Sequence, residues 1–311
     1  MKNINLLLLR ILLSKIPSSV LLKFWKSWFF IKGSQNHRKC FLLCTTGENE
    51  EYFDNGLIVT VQSLRLTNPK VPIVIFYSNL SQSQKYQLRD CKLVKIEEKF
   101  CNSEYRPDLT DAAFYRLHLD LLEEFDKVLY VDSDMVILDS LDEIFNLPGN
   151  LVAAGGIKNL AMDFHNSEKV FKLEGIKKET VPGFNTGFVC FNQNVWGNKL
   201  LEEAIAIGEN YGWENLKNPV NAILNLLAYR QGGFTSVSSH YNFIAWRDCL
   251  KVARNSKGFL APYVDGKFVK ILHFSGPFKP WQYLEKYDKY PRLQKFMDIY
   301  IPCYQQFKDS L

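Results

Sequence analysis

Short apolar runs that end in small polar residues recur through the first half of the chain, separated by amphipathic stretches of helical period. Residues 40–46 (Cys-Phe-Leu-Leu-Cys-Thr-Thr) read as a buried strand, 52–66 as a helix, 71–77 as a second strand rich in Val and Ile, and 81–90 as a helix behind a Ser cap. A shorter strand follows at 92–96, then a strong amphipathic helix over 110–125 and an apolar strand over 127–131 (Lys-Val-Leu-Tyr-Val). Strands without alternation, interleaved with helices, predict a parallel sheet covered on both faces. Ligands of such sheets sit beyond the carboxyl ends of the strands. Two strand ends here carry chemistry, Thr45-Thr46 and Asp132-Ser133-Asp134. Past residue 150 the alternation weakens, through a strand over 151–156, a Gly-rich run over 183–187, helices near 195–209 and 220–229, and strands near 234–237 and 269–273. There is no internal repeat and no linker.

A 47% hydrophobic and 14% aromatic composition over 311 residues excludes a disordered or low-complexity chain. Seven scattered cysteines make no disulfide framework, and reduced thiols in a cytoplasmic setting are expected. The net charge of +5 is unevenly placed: Lys2, Arg10, Lys15, Lys23, Lys26, Lys32, Arg38 and Lys39 precede the first acid, Glu48, and the remainder carries 30 basic against 33 acidic side chains. A nearly neutral body argues against a nucleic-acid partner. The basic head is interrupted too often by charge for the ~20 apolar residues of a membrane span. Wound as a helix over 18–32, it sets Lys23 and Lys26 on one face and Trp25 and Trp28 on the other, as in an interfacial helix on an anionic membrane. Packing on its own domain or on a partner, or service as a targeting segment, are the alternatives.

The Asp-Ser-Asp segment concentrates the chemistry. Carboxylates at i and i+2 of an extended chain point the same way, and two that share one spot call for a bridging cation of the hard, oxygen-seeking kind, Mg²⁺ or Mn²⁺. A turn cap is the plainer alternative for an isolated Asp. A phosphatase whose first Asp accepts a phosphoryl group is a rival, but several strand–helix units precede the motif and no Gly-Asp pair follows it.

Residues 111–145, from Asp-Ala-Ala-Phe-Tyr-Arg to Glu-Ile-Phe, closely resemble family 8 of the retaining glycosyltransferases, the family of glycogenin and of bacterial lipopolysaccharide hexosyltransferases. Residues 182–192 (Pro-Gly-Phe-Asn-Thr-Gly-Phe-Val-Cys-Phe-Asn) resemble its Phe-Asn-x-Gly strand, and 273–281 (His-Phe-Ser-Gly-Pro-Phe-Lys-Pro-Trp) its His-x-x-Gly-x-x-Lys-Pro-Trp signature. The resemblance implies a GT-A type, Rossmann-like α/β fold with a mixed, mostly parallel sheet over 39–285, behind a basic segment over 1–38 and before a helical tail over 286–311. It implies a manganese site (magnesium as the alternative) of Asp132, Asp134 and His273. Around a nucleoside-diphosphate sugar it implies Thr45 and Thr46 at the nucleoside, Ser133 between the aspartates, Arg116 as a basic residue reaching the donor, Gly276 at the diphosphate, and Asn185 and Thr186 at the sugar. Lys279 would offset the leaving-group charge, with Asn185 and Asn221 beside the reacting centre. The solvated helix face is the alternative reading of Arg116.

Relatives usually carry Asp-Gln-x-x-Leu-Asn where this chain has Val220-Asn221-Ala222-Ile223-Leu224-Asn225. Val220 cannot make a carboxylate's hydrogen bonds, and Asp163 is the expected replacement. The resulting expectation is transfer of a hexose, from UDP-glucose or UDP-galactose, to a hydroxyl of a glycan or glycolipid, with a catalytically weak or inactive nucleotide-sugar-binding protein as the alternative.

Overall fold

The computed structural model describes residues 38–97, 110–177, 180–197, 199–245, 251–276, 279–282 and 291–311. The helix expected over 18–32 and its membrane face lie outside them. Among the described residues no helix is long and apolar enough to cross a membrane.

The strands are β1 Lys39–Thr45, β2 Ile73–Tyr77, β3 Lys92–Lys95, β4 Lys127–Val131, β5 Met135–Ile137, β6 Leu151–Asn159, β7 Pro182–Asn192, β8 Thr235–Val237, β9 Phe243–Ile244, β10 Lys251–Arg254, β11 Leu260–Val264, β12 Lys267–Phe268 and β13 Ile271–His273. Among the helices, α1 is Ile58–Thr67, α2 Gln82–Gln87, α3 Ala112–Tyr115, α4 Leu200–Tyr211, α5 Pro219–Arg230 and α6 Pro291–Lys308. A seven-stranded sheet runs β3-β2-β1-β4-β7-β6-β8. Neighbours are parallel except along β7, which is antiparallel to both β4 and β6. This is the mixed, mostly parallel α/β sheet that the sequence predicts.

Both faces of the sheet are covered, as the unbroken apolar strands require. Cys40, Leu42 and Cys44 of β1, with Val128 and Tyr130 of β4, face one core. Phe41 and Leu43, with Leu129 and Val131, face the other. Burial pushes the Cys44 and Cys190 thiols up to about 12, so they pack as apolar groups. A third core lies under two features the sequence pattern does not announce, the sheets β5-β13-β9 and β10-β11-β12, and takes in Tyr300, Cys303, Tyr304 and Phe307 of α6.

The helix expected over 110–125 is broken. It closes after α3, and a 3-10 turn, Leu119–Leu122, replaces its second half. Residues 114–119 are all buried, so a regular helix would have no solvent face to offer here, and the tighter path buries side chains in every direction.

The start of α5 is pinned by a buried polar cluster. Asp163 is 0% exposed, and its carboxylate accepts from Lys158 Nζ (3.3 Å), Asn218 Nδ2 (3.3 Å) and Asn225 Nδ2 (3.2 Å). Asn225 also accepts from Phe184 N at 2.8 Å and donates to Phe184 O at 2.9 Å, tying α5 to β7. Burial raises the Asp163 carboxyl above its ordinary value against the pull of Lys158 and the two amides. Its oxygens are thus spent on the frame, which corrects the expectation that Asp163 stands in for the carboxylate missing at Val220. The Asp163→Ala variant is expected to lose roughly 1–3 kcal/mol in urea unfolding, the cost of leaving buried donors unpaired. An altered ligand preference with unchanged stability would return Asp163 to a binding role.

Candidate active site

β4 ends at Val131, and Asp132 N then donates to Gly187 O at 2.9 Å, holding the chain against β7 while Asp132-Ser133-Asp134 turns into β5. The carboxylates converge through this turn, not through the pleat of an extended strand. β13 pairs with β5 so that His273 lies opposite Met135, directly behind the turn. His273 Nε2 stands 3.6 Å from Asp132 Oδ2 and 3.3 Å from Asp134 Oδ1. Three ligand atoms, one from each residue, lie within 4.8 Å of one another. Among the described residues, Asp134 Oδ1 is buried with no hydrogen-bond partner. An orphaned carboxylate oxygen facing a second carboxylate and an imidazole nitrogen is a donor set that fits a hard divalent cation.

Two permanent cations flank the pair. Lys279 Nζ donates to Asp134 Oδ2 at 2.5 Å and to Phe274 O at 2.8 Å. Burial alone would raise the Asp134 carboxyl, but the Lys279 ammonium beside it holds it well below the usual carboxylate range. On the other side Arg116 Nη2 donates to Asp132 Oδ1 at 3.1 Å, Nη1 to Thr186 O at 2.7 Å and Nε to Ala113 O at 2.9 Å. Its guanidinium lies 3.7 Å above the Tyr130 ring, and the Tyr130 phenol donates to Asp132 Oδ1 at 2.6 Å. At 5% exposure Arg116 is no solvated helix-face charge.

β7 passes close beside the cluster. A Cβ at Gly187 would stand 2.5 Å from Asp132 Oδ2 and 2.7 Å from His273 Cε1, so glycine lets the strand run there without displacing either side chain. Thr186 N and Oγ1 both donate to Asn221 Oδ1, at 3.1 and 2.5 Å. Val220, next to it on α5, is 6% exposed and packs into the first core. Asn185 Oδ1 accepts from Gly187 N at 3.0 Å and from Asn242 Nδ2 at 3.0 Å.

Thr45 ends β1 and Thr46 follows it, and β1 pairs directly and in parallel with β4, so both stand at the same end of the sheet as the aspartates. Thr45 Oγ1 accepts from Gly47 N at 3.1 Å and Thr46 O from Asn79 N at 2.9 Å, which firms the loop. Burial and the nearby Asp134 carboxylate push the Tyr52 phenol above its ordinary value, with the Ser133 side chain pulling the other way. Tyr52 lies 5.5 Å edge-on to Trp281 and 5.9 Å beneath Lys279. Gly276 is exposed at φ +95°, a conformation that suits glycine where a ligand approaches backbone.

The sequence reasoning missed Tyr130, Tyr52 and Asn242. Tyr130 was legible in principle, because position i−2 from Asp132 on a strand shares its face. Tyr52 and Asn242 reach the cluster only through tertiary packing, and no local pattern marks them.

Comparison with known proteins places this geometry. The galactosyltransferase LgtC, solved with donor and acceptor sugar analogues, matches with a TM-score of 0.58 at 17% identity, over 87% of this chain and 95% of LgtC. The glycosyltransferase GlyE of Streptococcus pneumoniae gives a TM-score of 0.55 at 18% identity, over 88% of this chain and 63% of the GlyE chain. The fold is therefore the GT-A fold. In sequence, GlyE is 25% identical over 194 residues, covering 62% of this chain and 43% of GlyE. Glycosyltransferase 8 domain-containing protein 2 of Mus musculus is 22% identical over 264 residues, covering 74% of this chain and 71% of the relative. The chain thus spans less than half of GlyE and about 71% of the mouse protein. The profile of Glycosyl transferase family 8 matches residues 44–285, most of the chain and all three of the motifs that converge on Asp132, Asp134 and His273, and the chain belongs to that family.

Proposed function

We propose that the protein is a retaining, metal-dependent glycosyltransferase that moves a hexose from a UDP-sugar to a hydroxyl of a glycan or glycolipid. The observation that carries this reading is the orphaned Asp134 Oδ1, set among Asp132, His273 and the Lys279 ammonium at the carboxyl end of the sheet. Asp132, Asp134 and His273 would hold Mn²⁺, with Mg²⁺ as the alternative. The ion supplies Lewis-acid stabilisation of the departing diphosphate.

The chain's own residues do the rest. Lys279 is a cation on a flexible stem, bound to one carboxylate oxygen and one carbonyl, and it offsets charge as the bond from sugar C1 to the diphosphate oxygen breaks. Arg116 is buried and fixed by three hydrogen bonds and a stacked ring, so it orients Asp132 and Thr186 and contributes a standing positive charge. Thr45, Thr46 and Ser133 line the nucleoside side, Gly276 approaches the diphosphate, and Asn185, Thr186 and Asn221 line the sugar. No side chain is assigned as a covalent nucleophile. The acceptor oxygen forms its bond to C1 on the face the diphosphate leaves, and its proton passes to the leaving diphosphate, which retains configuration. The basic, apolar head supports an acceptor borne on an anionic membrane.

Hydrolysis of UDP-glucose, UDP-galactose and their N-acetyl forms, each with Mn²⁺ and with EDTA, tests the reading. One donor is expected to be cleaved with Mn²⁺ alone, with kcat reduced about 100-fold or more in Lys279→Ala and activity abolished in Asp134→Asn. UDP binding with no donor cleaved, even with glycan acceptors supplied, would favour a nucleotide-sugar-binding protein instead. Gly187→Ala is expected to keep the fold and weaken Mn²⁺ binding by about tenfold or more, because the added methyl intrudes on two of the three ligands.

A further inference from the structure

Asn242 is 3% exposed and touches both the metal-facing histidine and the sugar-facing asparagine. Amide and imidazole groups are ambiguous as to which atom donates, but here one backbone group removes the ambiguity. Gly187 N–H can only donate, so the Asn185 atom 3.0 Å from it is the carbonyl oxygen, Oδ1. That same oxygen faces Asn242 at 3.0 Å, and the Asn242 atom facing it is therefore the amide nitrogen. The other arm of Asn242 is then its carbonyl oxygen, 2.7 Å from His273 Nδ1, so Nδ1 must carry the hydrogen. In the neutral ring the lone pair falls to Nε2, the atom turned to Asp132 and Asp134 at 3.6 and 3.3 Å. At the opposite end, Asn185 has committed its oxygen and keeps only amide N–H groups for a further partner.

We propose that Asn242 is a positioning residue with two effects: it holds the His273 lone pair toward the cation site, and by occupying the second acceptor site of Asn185 Oδ1, whose orientation Gly187 N–H fixes, it leaves Asn185 only N–H groups to offer the sugar. The consequence for metal binding rests on the function proposed above, whereas the tautomer itself rests only on hydrogen-bond direction. Asn185 would then recognise an acceptor atom of the donor substrate, a sugar hydroxyl or ring oxygen or a phosphate oxygen.

Long-range ¹H–¹⁵N correlation of the five histidine rings in the metal-free protein, under conditions where the rings are neutral, reads the tautomer directly. The Nδ1–H form of His273 is expected in the wild type and in Asn242→Asp, which keeps the acceptor, and is expected to be lost in Asn242→Leu. Calorimetric titration with Mn²⁺ should show Asn242→Leu weakened about 10–100-fold. Asn242→Asp should bind the ion at least as tightly as wild type, yet show a raised KM for the sugar nucleotide because its carboxylate cannot donate to Asn185. An Nε2–H tautomer in the wild type, or Mn²⁺ binding in Asn242→Asp as weak as in Asn242→Leu, would overturn the proposal. A wild type with the Nδ1–H tautomer that takes up no Mn²⁺ would overturn the metal reading and leave the assignment of Asn242 standing.

Discussion

Two carboxylates that meet at one point, with Asp134 buried and Asp132 only partly open to water, repel each other unless positive charge is brought between or beside them. That repulsion dictates the surroundings. Arg116 comes from the C-terminal end of α3, Lys279 from the segment after β13, and the imidazole of His273 from β13 itself. None of these elements is near the aspartates in sequence except α3, so the fold exists in part to gather them. β13 pairing antiparallel to β5 delivers the histidine, and β7 passes at Gly187 close against both Asp132 and His273.

Charge counting shows why such a cluster suits a diphosphate. Asp132 and Asp134 are already balanced by Arg116 and Lys279, so the site is close to neutral as it stands. A divalent ion would tip it to a net positive charge in a region of low dielectric, where an unpaired charge is costly. A polyanion restores the balance. Of the two permanent cations Lys279 is the less committed, bound to two acceptors at the end of a flexible stem, whereas Arg116 is held on three sides and stacked on a ring. More and less tightly held charge is thus divided between an arginine and a lysine, in keeping with the planar fork of one and the flexible stem of the other.

How much of this the sequence disclosed depended on whether the determinant was local. The unbroken apolar strands disclosed a two-faced sheet because burial on both sides leaves no alternation, and the sheet forms as expected. The aspartate pair and its distant histidine were legible as motifs. The reason given for the convergence of the aspartates was incomplete, since a turn and not a pleat brings them together. The helix over 110–125 failed because its amphipathic period was outweighed by six consecutive residues that tertiary packing buries. Of the two small sheets only β13 was foreseen, within the strand expected near 269–273; the other strands, two to five residues long, carry too little pattern to read. Asp163 was misjudged because a carboxylate in a loop reads the same whether it faces a ligand or a ring of buried amides. Asn242 carried no signal, because its role lies in which atom faces which neighbour.

The Lys-Pro-Trp end of the last motif gains a physical meaning from α6. Trp281 lies between Tyr52 at 5.5 Å and Tyr304 of α6 at 6.1 Å, and Tyr304 also meets Phe274 edge-on at 6.1 Å. Phe274 and Trp281 bracket Lys279 in the chain, so both sides of the lysine segment rest on one tyrosine of the last helix. Tyr304 is itself fixed, 4% exposed with its phenol donating to Asn55 O at 3.0 Å. A lysine on a flexible stem needs a fixed backbone, because an ammonium whose anchor wandered would lose the orientation that makes its charge useful. The aromatic wedge provides that anchor from a part of the chain that touches no ligand group. The helical tail is therefore continuous with the site in mechanical terms, although the family match ends before it at residue 285.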